Sequence, residues 1–367
     1  MAKYLMAIDA GTGSVRAVLF DLEGNQLGCS QQEWEHAEQT PDIPGSMDFD
    51  WVHNWDLARS CIQDVISETG IDPAEIGAVS TTCMREGIVL YDKDGNEIWA
   101  CANVDARAND EVAELIHSYP GLEKELYLES GQSYALDALP RLLWVKNKLP
   151  EIYEKIDRIG MFNDWLIYKL TGILAVEPSN GSTTGLMDLK TRTWDPSILD
   201  RCGLKSSIFP PVKESGTVAG TVTANAALQT GLTEGTLVVV GGGDAQLGCI
   251  GVGAVDANDA AIFGGSFWQY EYNTDRADTD PQCRVRVNCH AVKNIWQYEA
   301  LAFKPGLVMR WFRDGFCRPG PAFFRKQGVE KSHGVHLHRI GDPPSAARIE
   351  PDRSGRVHRF AFAEGSG

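Results

Sequence analysis

A glycine-rich turn near the start of the chain joins two apolar runs, in the segment MAIDAGTGSVRAVLFD that begins at Met6. Glycines leave the backbone N–H groups of such a turn open to an anion, because no side chain blocks the approach. Asp9, at the end of the first run, is suited to bind a Mg²⁺ ion that accompanies phosphates. The alternative is a tight turn whose glycines serve only a positive φ, since the segment matches neither common nucleotide-binding loop. The residues predicted to bind phosphate are Gly11, Thr12, Gly13, Ser14 and Arg16.

A second candidate lies in VVVGGGDAQLG, where an apolar run from Thr236 to Val240 leads into three glycines and Asp244. We expect the glycines to form a turn that admits a ligand closely. A carboxylate at such a strand end can accept a proton from a substrate hydroxyl as the oxygen attacks phosphorus. The alternative is that Asp244 serves only as a helix cap.

Two pairs of charged residues each follow a predicted strand. Arg85 and Glu86 lie in CMREGIVLYD, and Asp105 and Arg107 lie in ACANVDARA. Ligands of α/β folds bind at strand ends, and carboxylates with guanidinium groups suit a polyhydroxylated substrate. The alternative is that all four are solvated loop charges.

Strands and helices alternate around these residues, which predicts an α/β fold. Asp50 is placed to cap a helix that Gly70 ends, and strands are expected near 77–82, 88–91 and 236–240. The segment DAAIFGGSFWQYEYN, from Asp259, repeats the opening pattern of apolar run, glycine turn and second run. We therefore predict two related domains with a boundary near 251–257, and the alternative is an ordinary hairpin within one domain.

The composition narrows the class of partner. With 34 basic and 50 acidic residues the net charge is −16, which would repel nucleic acid and anionic membranes. We expect the partner to be a small molecule or a protein, and we expect no membrane span and no exported leader, hence a cytoplasmic protein. The nine cysteines occur in apolar contexts without a Cys-x-x-Cys pair, as expected of reduced thiols.

The last fifty residues differ in character from the rest. Residues 318–367 carry nine Lys or Arg against five Asp or Glu, with four of the eight histidines and no sustained periodicity. We expect this segment to be disordered or foreign to the fold, and it resembles a shifted reading frame.

Several ordered motifs resemble the FGGY family of carbohydrate kinases. They are Asp9-x-Gly-Thr-x-x-x-Arg16, DWLIYKLTG, PSNGSTTGLMDL and AALQTGLTEGTLVVVGGGDAQLG, within a match that spans residues 4 to about 317. Within the family, CMREGIVLY, WACANVDARA, VKESGT and VMRWFRDGFC resemble the branch that acts on the autoinducer-2 signal more than xylulose or glycerol kinases. The resemblance implies an α/β fold of the actin-like, ribonuclease H-like ATPase type, with two related domains around a cleft. Its domains would be 1–250, an incomplete second domain at 251–317, and the atypical segment 318–367.

The same resemblance implies roles for individual residues. ATP and Mg²⁺ would bind in the cleft, and a hydroxyl of the open-chain signal, dihydroxypentanedione, would be phosphorylated. The alternatives are a pentulose kinase, or an inactive remnant that only binds a ligand or a partner; a homodimer is left open. The implied positions are Asp244 as catalytic base, Asp9 and Asp244 near the metal, Gly264, Gly265 and Ser266 as a second phosphate loop, and Arg85, Glu86, Asp105, Arg107, Asp244 and Gln246 as the substrate pocket.

Overall fold

The structure is a computed structural model that describes residues 2–38, 42–134, 137–264 and 268–302, together with Pro305, Val308, Met309 and Phe312. In chain order its strands are β1 Tyr4–Ala10, β2 Ser14–Asp21, β3 Gln26–Glu33, β4 Ile76–Cys83, β5 Ile88–Tyr91, β6 Glu97–Cys101, β7 Arg158–Met161, β8 Met187–Asp188, β9 Thr193–Trp194, β10 Val218–Thr221, β11 Leu237–Gly243, β12 Ala260–Gly264, β13 Trp268–Thr274, β14 Arg286–Cys289 and β15 Trp296–Ala302. The helices are α1 Trp51–Thr69, α2 Asn109–Ser118, α3 Leu122–Ser130, α4 Ala138–Lys148, α5 Pro150–Tyr153, α6 Phe162–Thr171, α7 Pro178–Gly181, α8 Pro196–Arg201, α9 Ala224–Thr230 and α10 Asp244–Gly251. The predicted alternation of strands and helices is confirmed. The segment 318–367 lies outside the described residues.

Helix α1 forms where the sequence predicts it. The Asp50 carboxylate accepts hydrogen bonds from the N–H groups of Val52 and His53, which satisfies two donors that the first turn leaves unpaired. Gly70 ends the helix with a φ of 65°, a conformation that costs glycine little. The buried side chains recur at helical spacing, namely Asn54, Trp55, Ala58, Cys61, Ile62 and Val65. This apolar face is what α1 packs against the neighbouring sheet.

The largest sheet has six strands in the order β10-β11-β4-β1-β2-β3. Alternate residues of β1 and β2 are buried, so one face of this hairpin enters the core with α1. Helix α6 packs against β4 and β11, and its Trp165 ring meets the Trp55 ring of α1 edge to face with centroids 6.2 Å apart. These two helices and the sheet enclose the first hydrophobic core.

Three parallel strands of this sheet end at one edge, which we call the carboxyl edge. Strand β4 lies between β1 and β11 and runs parallel to both. Ala10 of β1 and Gly243 of β11 both pair with Cys83, the last residue of β4. The residues that follow these strands must therefore lie close together: the glycine turn, Arg85 and Asp244.

The second hairpin predicted from Asp259 is also confirmed. Strands β12 and β13 pair antiparallel, with Gly264 opposite Trp268, and they belong to a separate sheet in the order β12-β13-β15-β14. Strands β6, β5 and β7 form a third sheet. The predicted domain boundary near 251–257 begins at the last residue of α10 and ends before β12, and it stays a prediction.

The expectation of a turn at 241–243 is wrong. The three glycines continue β11 to its end, and none has a positive φ. Close packing explains them instead, because a Cβ atom at Gly241 would lie 1.5 Å from the carbonyl oxygen of Thr81 on β4. The glycines let β11 approach its neighbours and bring Asp244 directly to the carboxyl edge.

Two further observations bear on the composition of the chain. Of the eight cysteines within the described ranges, all free, Cys29 and Cys283 are exposed and six are buried. Among the described helices, none has both the length and the apolar character needed to cross a membrane.

Candidate active site

The glycine turn between β1 and β2 is held by Trp34. The indole Nε1 donates to the carbonyl oxygens of Gly11, at 3.0 Å, and Thr12, at 3.2 Å, and the Trp34 backbone N–H donates to the carbonyl of Gly13 at 3.1 Å. These bonds fix the carbonyl oxygens, whose partial negative charge would otherwise repel a phosphate. Neither glycine has a positive φ, so the interpretation that they serve only that conformation is wrong. A Cβ atom at Gly13 would meet no atom within 4 Å, which leaves room for a ligand against the turn.

Asp9 and Arg16 face each other across this hairpin. They are register partners in β1 and β2, and the Arg16 Nε donates to the Asp9 Oδ2 at 2.8 Å. The Arg16 side chain is 45% exposed and that of Asp9 is 21% exposed. An accessible guanidinium and an accessible carboxylate therefore stand beside the predicted phosphate site.

Asp244 is the first residue of α10 and lies at the carboxyl edge. Gly243 occupies the cap position, so the interpretation of Asp244 as only a helix cap is wrong. Its Oδ1 accepts the N–H of Ala245 at 2.8 Å, and its side chain is 45% exposed. Desolvation by the neighbouring protein raises the pKa of Asp244 to about 6; Arg85 opposes the rise and the carboxylate of Asp9 adds to it.

A chain of alternating charges runs inward from Asp244. Arg85 Nε lies 3.7 Å from the Asp244 Oδ1, and Arg85 Nη1 lies 2.5 Å from the Glu299 Oε2. Glu299 also pairs with Arg286 at 3.2 Å, and Arg286 Nη2 donates to the Glu86 carboxylate at 2.8 Å. Burial raises the pKa of Glu299, but Arg85 and Arg286 outweigh it and hold the value at about 2. The order of charge is therefore negative, positive, negative, positive, negative.

Sequence reasoning missed Glu299 and Arg286, which come from the second sheet. The available signal for Glu299, and for Glu271 in β13, is a charged residue inside an aromatic-rich run, whereas Arg286 lies in the alternating run RVRVN. Glu271 is fully buried, and burial together with the neighbouring Glu299 raises its pKa well above the usual range. Pairing across two sheets depends on strand order, which the sequence does not specify.

Gln246 lies beneath the carboxyl edge rather than on it. Its side chain is fully buried, and its Nε2 donates to the Gln297 Oε1 at 2.9 Å. The structure thus brings Arg85, Glu86 and Gln246 into one polar cluster with the second sheet. Their role in substrate binding stays a prediction.

Asp105 and Arg107 are not part of this cluster. The Arg107 Nε donates to the Asp105 Oδ2 at 2.8 Å, and a second bond joins Arg107 to Asp48. The guanidinium lies 5.2 Å from the ring centroid of Trp99 and 5.0 Å from that of Trp144, and the side chain is 1% exposed. This geometry ties Arg107 to an internal ion pair and aromatic contact, with little surface left for a substrate.

Arg141 connects the loops around the site and was also missed. Its guanidinium donates to the carbonyl oxygens of Glu86, of Asn103 at 2.9 Å, and of Asp105 at 2.8 Å. The Asn103 side chain in turn donates to the Thr12 hydroxyl at 3.0 Å. A charged residue in the apolar run LPRLLWV was the available signal.

The second predicted phosphate loop is described only at its first residue. Gly264 ends β12, where a Cβ atom would lie 3.1 Å from the indole nitrogen of Trp268. Gly265 and Ser266 lie outside the described residues. Their role stays a prediction.

Metal-binding capacity at the site rests on two carboxylates. Across the described ranges no group of three or more His, Cys, Asp or Glu side chains is arranged to hold a metal. Mg²⁺ in phosphoryl-transfer sites commonly takes one or two protein carboxylates and completes its shell with phosphate and water oxygens. Asp9 and Asp244 fit that donor set.

The chain belongs to the FGGY family of carbohydrate kinases, whose N-terminal domain model matches residues 4–251. It is 52% identical over 329 residues to the autoinducer-2 kinase of Enterobacter sp. strain 638, a match that covers 89% of this chain and 62% of that protein. It is also 52% identical over 356 residues to the autoinducer-2 kinase of Escherichia coli strain K12, covering 96% of this chain and 67% of the relative. The chain thus spans somewhat less than two thirds of the first of these relatives.

Solved structures of sugar kinases share the fold. A xylulose kinase from Rhodospirillum rubrum superposes with a TM-score of 0.79 at 22% identity, covering 89% of this chain and 66% of that one. A Plasmodium falciparum glycerol kinase with ADP gives a TM-score of 0.76 at 20% identity, covering 88% and 65%. The predicted sugar-kinase fold of the actin-like class is confirmed.

Proposed function

We propose that this protein catalyses the ATP-dependent phosphorylation of a hydroxyl group on the open-chain autoinducer-2 signal, dihydroxypentanedione. The observation that carries the reaction type is the common end of β1, β4 and β11, which puts a glycine turn, a buried arginine and an accessible carboxylate at one edge. The acceptor is proposed from the two autoinducer-2 kinases that share 52% of the aligned residues.

The residues of the first hairpin fit a nucleotide phosphate. The open space over Gly13 admits an anion to the backbone, and Trp34 keeps the turn's carbonyl oxygens in fixed hydrogen bonds. Arg16 can exchange Asp9 for a phosphate oxygen, because its guanidinium is accessible and carries a permanent charge. The carboxylate of Asp9 is then available to Mg²⁺. When bound, ATP with Mg²⁺ supplies the phosphoryl group and neutralises its charge.

Asp244 acts as the general base in this proposal. With a pKa of about 6 the carboxylate is largely ionised at neutral pH, yet basic enough to take the hydroxyl proton as the substrate oxygen bonds to phosphorus. Arg85 forms a close ion pair with Glu299 and lies 3.7 Å from Asp244. Its charge therefore stabilises the Asp244 carboxylate without forming a tight ion pair with it. The bond between the transferred phosphorus and the ADP oxygen breaks as the new bond forms, ADP leaves, and the proton ends on Asp244.

A panel of acceptors tests the proposal. Production of ADP is followed with dihydroxypentanedione, xylulose, ribulose and glycerol at matched concentrations, and the phosphorylated product is identified by mass spectrometry. We expect the highest kcat/KM with dihydroxypentanedione. A preference for xylulose or ribulose would replace the proposed acceptor by a pentulose, and transfer to none of the four would contradict the proposed activity.

We include a cytoplasmic location in the proposal. Two exposed thiols, Cys29 and Cys283, are unpaired, as suits a reducing compartment. A homodimer remains a prediction that light scattering of the purified protein would test.

A further inference from the structure

A buried serine contacts the Gly242–Gly243 peptide group, one residue before Asp244. The Ser179 Oγ accepts the backbone N–H of Gly243 at 2.9 Å and donates its own proton to the Glu177 Oε2. Both Ser179 and Glu177 are fully buried. Neither has a part in the chemistry described so far, and both come from the segment that forms α7 and its start.

The direction of the Ser179 hydroxyl proton determines whether the serine can accept the Gly243 N–H. A serine hydroxyl has one hydrogen, so a bond to Glu177 leaves only lone pairs to face Gly243. Glu177 therefore fixes Ser179 as an acceptor. Burial raises the pKa of Glu177 to about 7, but Oε2 remains an acceptor in both protonation states when a proton resides on Oε1.

The same Gly242–Gly243 peptide group is held from the other side. The Thr82 hydroxyl donates to the carbonyl oxygen of Gly242 at 3.0 Å. A Cβ atom at Gly242 would lie 2.8 Å from the Ser179 Oγ, so the glycine is what allows the serine to come this close. The last two residues of β11 are thus fixed between β4 and the α7 segment.

We infer that Ser179, oriented by Glu177, is a positioning residue that sets where Asp244 stands relative to the substrate hydroxyl. This inference rests on the proposed function. Asp244 begins α10, and the cap residue Gly243 has no side chain with which to hold that helix end. The Gly242–Gly243 peptide therefore sets the direction in which the chain enters α10 and the carboxylate points, and Ser179 fixes that peptide.

The variant Ser179→Ala tests the inference, with Thr183→Val as its matched control. Thr183 is also buried, in the turn that directly follows α7, but its hydroxyl donates to the Asn180 carbonyl at 2.8 Å instead of contacting β11. We expect Ser179→Ala to lower kcat by about ten- to a hundredfold, since a misplacement of about 1 Å can cost that much, with KM for the acceptor within about threefold. Thr183→Val should lose similar thermal stability while its kcat stays within about twofold. Equal kcat values for the two variants would overturn the inference.

A second readout does not depend on activity. Without its acceptor, the Gly243 amide should exchange with deuterium faster in Ser179→Ala than in Thr183→Val, as measured by NMR on glycine-labelled protein. Unchanged exchange would overturn the inference even if kcat fell. If the wild-type protein transferred no phosphoryl group, the proposed function would fail, and the exchange rates would still decide whether Ser179 positions this peptide.

The variant Glu177→Gln covers the case in which Ser179→Ala does not fold. Glutamine keeps the volume, but its amide group can donate to Ser179 and turn the hydroxyl proton toward Gly243. We expect kcat to fall by about three- to tenfold, with faster Gly243 exchange. Wild-type values for both would contradict the role of Glu177.

Discussion

Substituting Gly13 by valine separates a phosphate-binding turn from a purely structural one. A Cβ atom at this position would project into open space, and the backbone at Gly13 does not have a positive φ. The fold should therefore tolerate the side chain, with a change in unfolding free energy within about 0.5 kcal/mol. Ligand binding should be weakened, because the valine methyl groups would occupy the space through which an anion reaches the backbone N–H groups.

The magnitude follows from the bonds that would be lost. A hydrogen bond to a charged group contributes about 1.5 to 3 kcal/mol. At about 1.4 kcal/mol for each factor of ten, the loss of one such bond weakens ATP binding by about ten- to a hundredfold. Two lost bonds would exceed this range, so the estimate is a lower bound.

The assay combines calorimetric titration of ATP with thermal unfolding of the same samples. Gly251→Val is the control, since a Cβ atom there also meets no atom within 4 Å and the residue lies at the far end of α10. We expect Gly13→Val to lose affinity and keep stability, and Gly251→Val to keep both. Lost stability with unchanged affinity in Gly13→Val would refute the reasoning and make the turn structural.

Three further variants test other parts of the structure. Burial raises the pKa of Asp137 to about 8, from an ordinary value of 3.8, so the folded state keeps a proton that the unfolded chain releases; the unfolding free energy should fall as pH rises from about 4 to 8, and Asp137→Asn should flatten that slope in urea titrations. Gly241→Ala should destabilise the protein by about 2 to 4 kcal/mol, because its Cβ would lie 1.5 Å from the carbonyl oxygen of Thr81; a loss under about 0.5 kcal/mol would contradict the packing argument. Arg107→Lys should lower the melting temperature while the acceptor KM stays within about threefold, since lysine cannot reproduce the paired and stacked guanidinium; a raised KM at unchanged stability would instead support substrate contact.

The local elements could be predicted from the sequence because their signals are local. The cap at Asp50, the stop at Gly70 and the alternating apolar residues of the first hairpin act within a few positions of one another. Both hairpins and α1 were accordingly predicted correctly. The strand conformation of the glycines at 241–243 was not predicted. These glycines are required by close packing against β4, which lies far away in the sequence.

The residues of the candidate site also differ in whether their signal in the sequence is local. Asp244 and the glycine turn were found because strand ends and glycines are visible in the sequence. Glu299 and Arg286 were not, since their pairing with Arg85 and Glu86 requires the second sheet to be placed against the first. Ser179 is harder still, because a lone hydroxyl carries no sign of the backbone group that it contacts.

The most direct test of the proposed chemistry is the turnover of Asp244→Asn. Asparagine keeps the shape of the side chain but cannot accept the hydroxyl proton, so kcat for phosphoryl transfer to dihydroxypentanedione should fall by about 10² to 10⁴. Acceptor affinity, measured by calorimetry, should stay within about tenfold, because the lost interaction is made in the transition state. A kcat near that of the wild-type protein would contradict the assignment of Asp244 as the base.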